Sequence, residues 1–468
     1  MFKMKNISCF LLIVIAGITS CNKLNETAYS QITTDNFFTT KNDVDAALTA
    51  MYRPIQQCCG GYEQSANFVL NATSDEGTSS NSTWGQYDNL TYTPGSSGDV
   101  HDIWVANYQS ISSANYVLDN EKKIASLDPD PTYAMAKLAE ARFIRGMDYF
   151  ELVQMFGDVP LRTTLTSRAD QVDIPRTSAD SVYAQIIADF TYAEANLPVA
   201  ASATGHPTKF AATSFLAKVY LTMKDYQNAL TKSEDVRDNG PYGLLPNFAD
   251  IFDVDNKDNK EVIFDIQYIR QDGQGMRMEY LVLGPDNLFA AGATGGWGLS
   301  NVENGVINHY NPVDSRIATT FADPSPGLTT YYIGKWRDVK GVSADGHGNN
   351  YIVYRYADLL LEVAEAENEV NGPTIVAYNS INTVRTRANL PGLTTGLTQD
   401  QFRDSVLWER HLELNWEEWR WFDLKRTGKL KETLIADGKT WNDRYLLFPI
   451  PQSEIDASNK KIVQNPGY

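Results

Sequence analysis

Three tryptophans stand in or beside loop-forming sequence: Trp84 in a Ser/Asn-rich run, Trp297 among glycines, and Trp336 ahead of an Asp/Gly-rich stretch. An indole face stacks on the apolar C–H face of a sugar ring, while nearby Asn, Asp and Arg satisfy the hydroxyls. Arg337, next to Trp336, is such a partner. A site of this kind needs few charges and suits a neutral carbohydrate. A second reading stays open for each tryptophan, namely that it pins its loop to the body. Trp408, Trp416, Trp419 and Trp421 differ, because they crowd a charged helical segment in which acids and arginines alternate with indoles. That pattern predicts paired charges under an aromatic cover, a structural knot holding the C-terminal helices to the core.

Other chemistry is sparse. The five histidines (His101, His206, His309, His347 and His411) form no HExxH and no i, i+4 pair. There is no GxSxG and no phosphate-binding P-loop, and the glycines at 292, 295, 296 and 298 lack a strand–turn–helix setting. Residues 253–261 resemble a calcium loop superficially, but Lys257 occupies a ligand position and the turn glycine is missing. Neither a metal nor a cofactor is expected. Among 58 carboxylates a glycosidase pair can always be nominated, but nothing in the spacing singles one out. The reading is a binding protein, not an enzyme.

The chain has 468 residues with 40 Lys+Arg against 58 Asp+Glu, a formal charge of −18. Apolar residues make up 43%, enough for a large core. The acidic balance argues against nucleic acid and against docking on anionic lipid through a basic patch. Residues 1–20 read as a lipoprotein signal peptide: Lys3 and Lys5, an apolar run from Cys9 to Ile18, then small residues before Cys21. Cys21 is the predicted lipidation site, with an ordinary signal peptide as the alternative. Removing the leader takes away two lysines and leaves −20. No later stretch is apolar enough to span a bilayer, so the lipid on Cys21 would be the anchor. Cys58 and Cys59 are adjacent and offer neither a long-loop disulfide nor a zinc site.

Helical periodicity dominates what must position these residues. Asp130-Pro131 opens a helix ended by Gly157 and Pro160; Thr177 is the expected cap of the next; others start at Thr208 and Asp225. Residues 210–230 and 356–390 space small and aromatic residues as tetratricopeptide helix pairs do. Loop-rich segments interrupt this pattern near 58–100 and 243–354. Short strands are expected at 261–268, 331–337 and 351–354. The predicted fold is mostly α: a helical-repeat scaffold with a loop-rich ligand face and a few short strands, forming a single domain over 21–468.

Residues 409–428, "ERHLELNWEEWRWFDLKRTG", and the terminal "LLFPIPQSEIDASNKKIVQNPGY" closely resemble the SusD/RagB family of outer-membrane lipoproteins. Further blocks at 136–161, 212–230 and 354–372, and the lead-in from Cys21, follow in the family order. One departure is Glu418, where members often carry glycine. The resemblance implies four tetratricopeptide-like pairs, glycan binding without cleavage, and a SusC-like TonB-dependent transporter as partner. It matches Trp84 to a ligand tryptophan, with Asp75, Tyr87 and Asn89 as neighbours, and nominates Trp297 in a second aromatic segment. Trp336 and Arg337 come from loop chemistry alone. The expected function is surface capture of a neutral oligosaccharide or polysaccharide. A peptide ligand, or a pure interaction scaffold for the transporter, is the alternative.

Overall fold

The computed structural model describes residues 37–57, 60–79, 81, 83–166, 174–278, 282, 301–302, 305–322 and 331–468. Twelve principal helices carry the scaffold: α1 (Lys41–Gln56), α2 (Ser65–Ala72), α3 (Gly98–Asp119), α4 (Pro131–Phe156), α5 (Ala179–Asn196), α6 (Lys209–Thr222), α7 (Tyr226–Asn239), α8 (Tyr356–Asn371), α9 (Ile375–Arg387), α10 (Gln399–Glu413), α11 (Arg420–Arg426) and α12 (Leu430–Ala436). From α3 to α9 each principal helix packs on the next, as a helical repeat requires, and α1 and α10 add to the row against α3 and α8. Local chemistry explains their limits. Asp130 accepts the Thr132 N–H at 2.9 Å ahead of Pro131, and Gly157, at φ +71°, ends α4. Thr208 and Asp225 cap α6 and α7 through the Ala211 and Asn228 N–H groups. The expected cap Thr177 is displaced by one residue. Thr177 exchanges backbone hydrogen bonds with Val159, and Asp158 instead accepts the Ala179 N–H at 2.8 Å.

The small residues of α6 matter for packing. Ala211, Ala212 and Ala217 are fully buried, and nearly every α6 side chain is enclosed because α5, α7 and α8 surround it. Among the described residues six short strands pair antiparallel in three two-stranded sheets: β1 (Gly77–Thr78) with β3 (Asn301–Val302), β2 (Val262–Ile266) with β6 (Tyr351–Arg355), and β4 (Phe321–Ala322) with β5 (Tyr332–Ile333). β5 is shorter than the expected 331–337 because Lys335 and Trp336 turn into the core.

The C-terminal segment joins scaffold to loops through buried ion pairs. Arg355 reaches Glu413 (2.5 Å), Glu417 (2.7 Å) and Glu261 (3.2 Å). Arg316 binds Asp314 (2.7 Å), Glu409 (2.7 Å) and Glu413 (2.9 Å). Arg410 links Asp358 (2.6 Å) to Asp423 (2.7 Å), and Lys335 meets Glu417 at 2.6 Å. Trp416 and Trp421 are fully buried beside this network, and Lys218 lies 3.9 Å from the Trp419 ring centre. The expected knot of paired charges is present there. Glu418, at φ +69°, sits in left-handed backbone that favours glycine, which accounts for the glycine common at this position in the family.

Candidate functional site

The loop after α2 is held by the C-terminal segment at three points. Arg420 grips both oxygens of Asp75 at 2.7 Å. Glu76 accepts the Trp416 backbone N–H at 2.9 Å, and its carbonyl accepts the Trp416 indole at 3.1 Å. Lys439 bonds the carbonyls of Ala72 and Ser74 and pairs with Asp88 at 3.0 Å. Gly77 allows a close crossing at Trp416, since a Cβ there would meet the indole at 3.1 Å and the Asn71 backbone at 3.2 Å, tighter than side chains usually pack. β1 then pairs with β3, which sets the Trp84 loop against the segment that follows Trp297. β3 in turn lies against β5, which brings the Trp84 loop and the segment leading to Trp336 and Arg337 to one face.

Within that face the predicted residues take different roles. Asp75 is buried against Arg420. Burial opposes its charge, but the Arg420 fork and the neighbouring His411 outweigh that and hold the carboxyl well below its usual range. Trp84 is only 9% exposed, stacks on Phe68 at 4.9 Å, and donates its indole N–H to Asp99 at 3.2 Å. Tyr87 is buried and donates to the other Asp99 oxygen at 3.2 Å; burial and the Asp99 charge push its hydroxyl pKa up. Burial raises Asp99 too, with the Trp84 and Tyr87 hydrogen bonds offsetting part of the rise. Asn89 is exposed, its amide donating to the Gly85 carbonyl at 2.7 Å. Trp297 and Cys21 lie outside the described residues.

Trp336 is 1% exposed, stacked on Tyr351 at 5.5 Å with the edge contact of Phe252 at 5.8 Å. With its ring so covered, no face is left for a sugar, and its part in the site is corrected to that of a core anchor. Arg337, one residue on, lines a cavity of about 520 Å³ together with Asp253, Phe252, Phe321 and Tyr331. Aromatic walls with a guanidinium and a carboxylate match the chemistry expected of a carbohydrate site. The calcium-like loop is turned to other use: Asp255 pairs with Arg270 (2.8 Å) and Lys340 (2.5 Å), and Lys257 donates to the Tyr268 carbonyl. Among the described residues no group of three or more His, Cys, Asp or Glu is placed to hold a metal ion.

Trp408 departs from the expected knot. It is 43% exposed, and its ring lies 4.9 Å from His309 and 5.5 Å from His411. The signal was available in the helical wheel, since Trp408 shares the α10 face of the exposed Gln401 and Asp404 and not that of Phe402 and Val406. The cavity aromatics Phe252, Phe321 and Tyr331 had no comparable signal, because they meet only through tertiary packing.

Residues 323–468 match the family profile described as the SusD family, and residues 24–221 match one described as starch-binding, associating with outer membrane. A SusD-like protein, P2, of Formosa agariphila is 28% identical over 99% of this chain and 100% of its own. The starch-binding protein SusD of Bacteroides thetaiotaomicron is 23% identical over 82% of this chain and 81% of its own. Among solved structures, a laminarin-binding SusD-like protein superposes with a TM-score of 0.80 at 27% identity, covering 92% of this chain and all of the other.

Proposed function

Given that the chain belongs to the SusD/RagB family, we propose that it captures neutral glycan at the cell surface and delivers it to a SusC-like TonB-dependent transporter. The observation that carries this reading is the nearly full-length likeness to a laminarin-binding protein. A face that gathers an aromatic-walled cavity and an exposed tryptophan supports it. Association with the outer membrane fits the second family match, and a lipid on Cys21 would supply the anchor. No described helix is long and apolar enough to cross a membrane. The family relatives are binding proteins, and we read this chain as binding without cleaving.

Affinity electrophoresis against laminarin, starch and other neutral polysaccharides tests the reading. The parent is expected to be retarded by at least one polymer, and Trp297→Ala to lose that retardation. Trp84→Ala is expected to weaken binding as well, by loosening its loop. A parent retarded by none of them refutes glycan capture. A second reading, a peptide or scaffold role, is favoured by a groove of about 390 Å³ between α7, α8 and α9, floored by Leu244, Leu360 and Val376. Co-purification with the transporter in the absence of any glycan binding would support that alternative.

A further inference from the structure

The loop face carries an exposed tryptophan that neither the family resemblance nor the loop chemistry nominates. Trp408 is 43% exposed, and its indole N–H has no partner among the described residues. Beside it stands a hydrogen-bonded relay that runs inward from the surface. Nδ1 of the half-buried His309 lies 3.1 Å from Nε2 of His411, and Nδ1 of the fully buried His411 lies 2.9 Å from Oε1 of Glu76. Glu76 is itself fully buried, its other oxygen occupied by the Trp416 N–H.

The relay orients the ring of His309. Its Nδ1 is held by Nε2 of His411, whose own Nδ1 is held by the buried Glu76. The remaining nitrogen, Nε2 of His309, has no protein partner among the described residues. Burial and the neighbouring His411 and Arg420 lower the His309 pKa, opposed only by Asp75, so the ring is neutral at pH 7. An exposed indole face therefore stands next to one oriented ring nitrogen, at the end of a buried chain.

We propose that Trp408 and His309 form a carbohydrate subsite in which a pyranose ring lies on the exposed indole and one of its hydroxyls forms a hydrogen bond with Nε2 of His309. The inference rests on the glycan-binding reading and adds to it a position on α10, outside the loops. Glu76 and His411 are positioning residues for this contact.

Calorimetry with laminarihexaose, maltohexaose, laminarin and starch tests it on the full mature chain. Trp408→Ala is expected to weaken binding of the preferred sugar about tenfold. His309→Phe keeps a ring against Trp408 but removes the hydrogen-bonding nitrogen, and is expected to weaken binding several-fold. Both variants should melt with the parent, since Trp408 is exposed and His309 half-buried. If Trp297→Ala loses binding while Trp408→Ala and His309→Phe bind like the parent, the subsite is refuted and glycan capture stands. If Trp408→Ala keeps full glycan affinity but no longer co-purifies with the transporter, the surface is a protein contact and the subsite is again refuted. A parent that binds none of the four probes removes both readings together.

Discussion

At the joint between α10, α11 and β6, Arg316, Arg355 and Arg410 each meet two or more carboxylates of their own chain. On the adjoining loop face the same residue types are arranged differently. Arg337, Asp253 and three aromatic rings line a cavity, and Trp408 with His309 faces outward. The difference teaches what each region is for. Desolvated charges that are mutually satisfied cost little further energy and bind nothing else, but they fix backbone geometry. Side chains that border a cavity can meet a ligand there, whatever contacts they also make within the chain. The two regions share a segment, because Asp75 and Glu76 are tied to the joint while the chain immediately after them forms β1 of the face.

The comparison breaks most visibly at Glu413, which is fully buried and contacts Arg316, Arg355 and Arg387 at once. Burial opposes its charge, but the three guanidinium groups prevail and hold its carboxyl well below the usual range. Glu413→Ala would remove the carboxylate these three cations share, leaving the remaining acids, Asp314, Glu409, Glu417 and Glu261, to balance them in a buried site. A loss of about 3–5 kcal/mol is expected in denaturant titration, the scale seen when one partner of a buried ion pair is removed. The pH dependence has a definite sign. Asp423, held at about 2 because Arg410 and Arg426 overcome its burial, contributes stability that is present above the unfolded carboxyl value of 3.8. That contribution is lost as pH falls toward 2. Melting temperatures measured from pH 5 downward should therefore fall steeply in the parent and less steeply in Glu413→Ala.

A smaller effect of opposite sign is expected at Glu418. This buried side chain and Glu151 line a cavity of about 30 Å³, room for roughly one water. Burial, with the Glu151 charge added, raises the Glu418 carboxyl well above its usual value; burial raises Glu151 to about 7. A carboxyl raised in the folded state keeps its proton there but loses it in the unfolded chain. Its stability contribution is therefore complete below the unfolded value of 4.5 and is lost as pH rises toward the folded one. For Glu151 that window runs from 4.5 to about 7, which corresponds to ~3 kcal/mol. Glu418→Gln keeps the size of the side chain and removes its ionisation. The variant is expected to be more stable than the parent by about 1–3 kcal/mol at pH 8, with the gap closing by pH 4. Equal stability of the two chains at pH 8 would show that Glu418 is not held protonated.

Much of the scaffold was legible because helix limits depend on a few neighbouring residues. Asp130-Pro131, Gly157, Thr208 and Asp225 each act within one turn of the chain. Thr177 failed as a cap because the competing acceptor, Asp158, lies some twenty residues upstream, beyond the reach of a local pattern. The site was less legible for the same reason. That Trp84, Trp336 and Trp408 are tryptophans says nothing about which faces are covered. Phe68 covers Trp84, Tyr351 and Phe252 cover Trp336, and the exposed side of Trp408 has no such cover; these partners come from distant parts of the chain. The family resemblance nominated Trp84 and Trp297; the pairing of β1 with β3 places Asn301 and Val302 beside the start of the Trp84 loop, and Trp297 itself lies outside the described residues.

Arg337 provides the finest division between the two regions, since Trp336 beside it belongs to the core. Trp336 fills space between Phe252 and Tyr351, whereas Arg337 borders the cavity formed by Phe252, Phe321 and Tyr331. Arg337→Ala is expected to change stability much less than Glu413→Ala does, since Arg337 is only half-buried. Glycan affinity should nevertheless fall several-fold, by ~1 kcal/mol, for the loss of hydrogen bonds from a charged donor to sugar hydroxyls. Arg337→Lys keeps the charge but loses the planar fork, so it should recover only part of the affinity if the fork orients the sugar. Full recovery would mean that charge alone suffices. Unchanged affinity in both variants would exclude the cavity from the binding surface and confine the ligand to the neighbourhood of β1, β3 and Trp408.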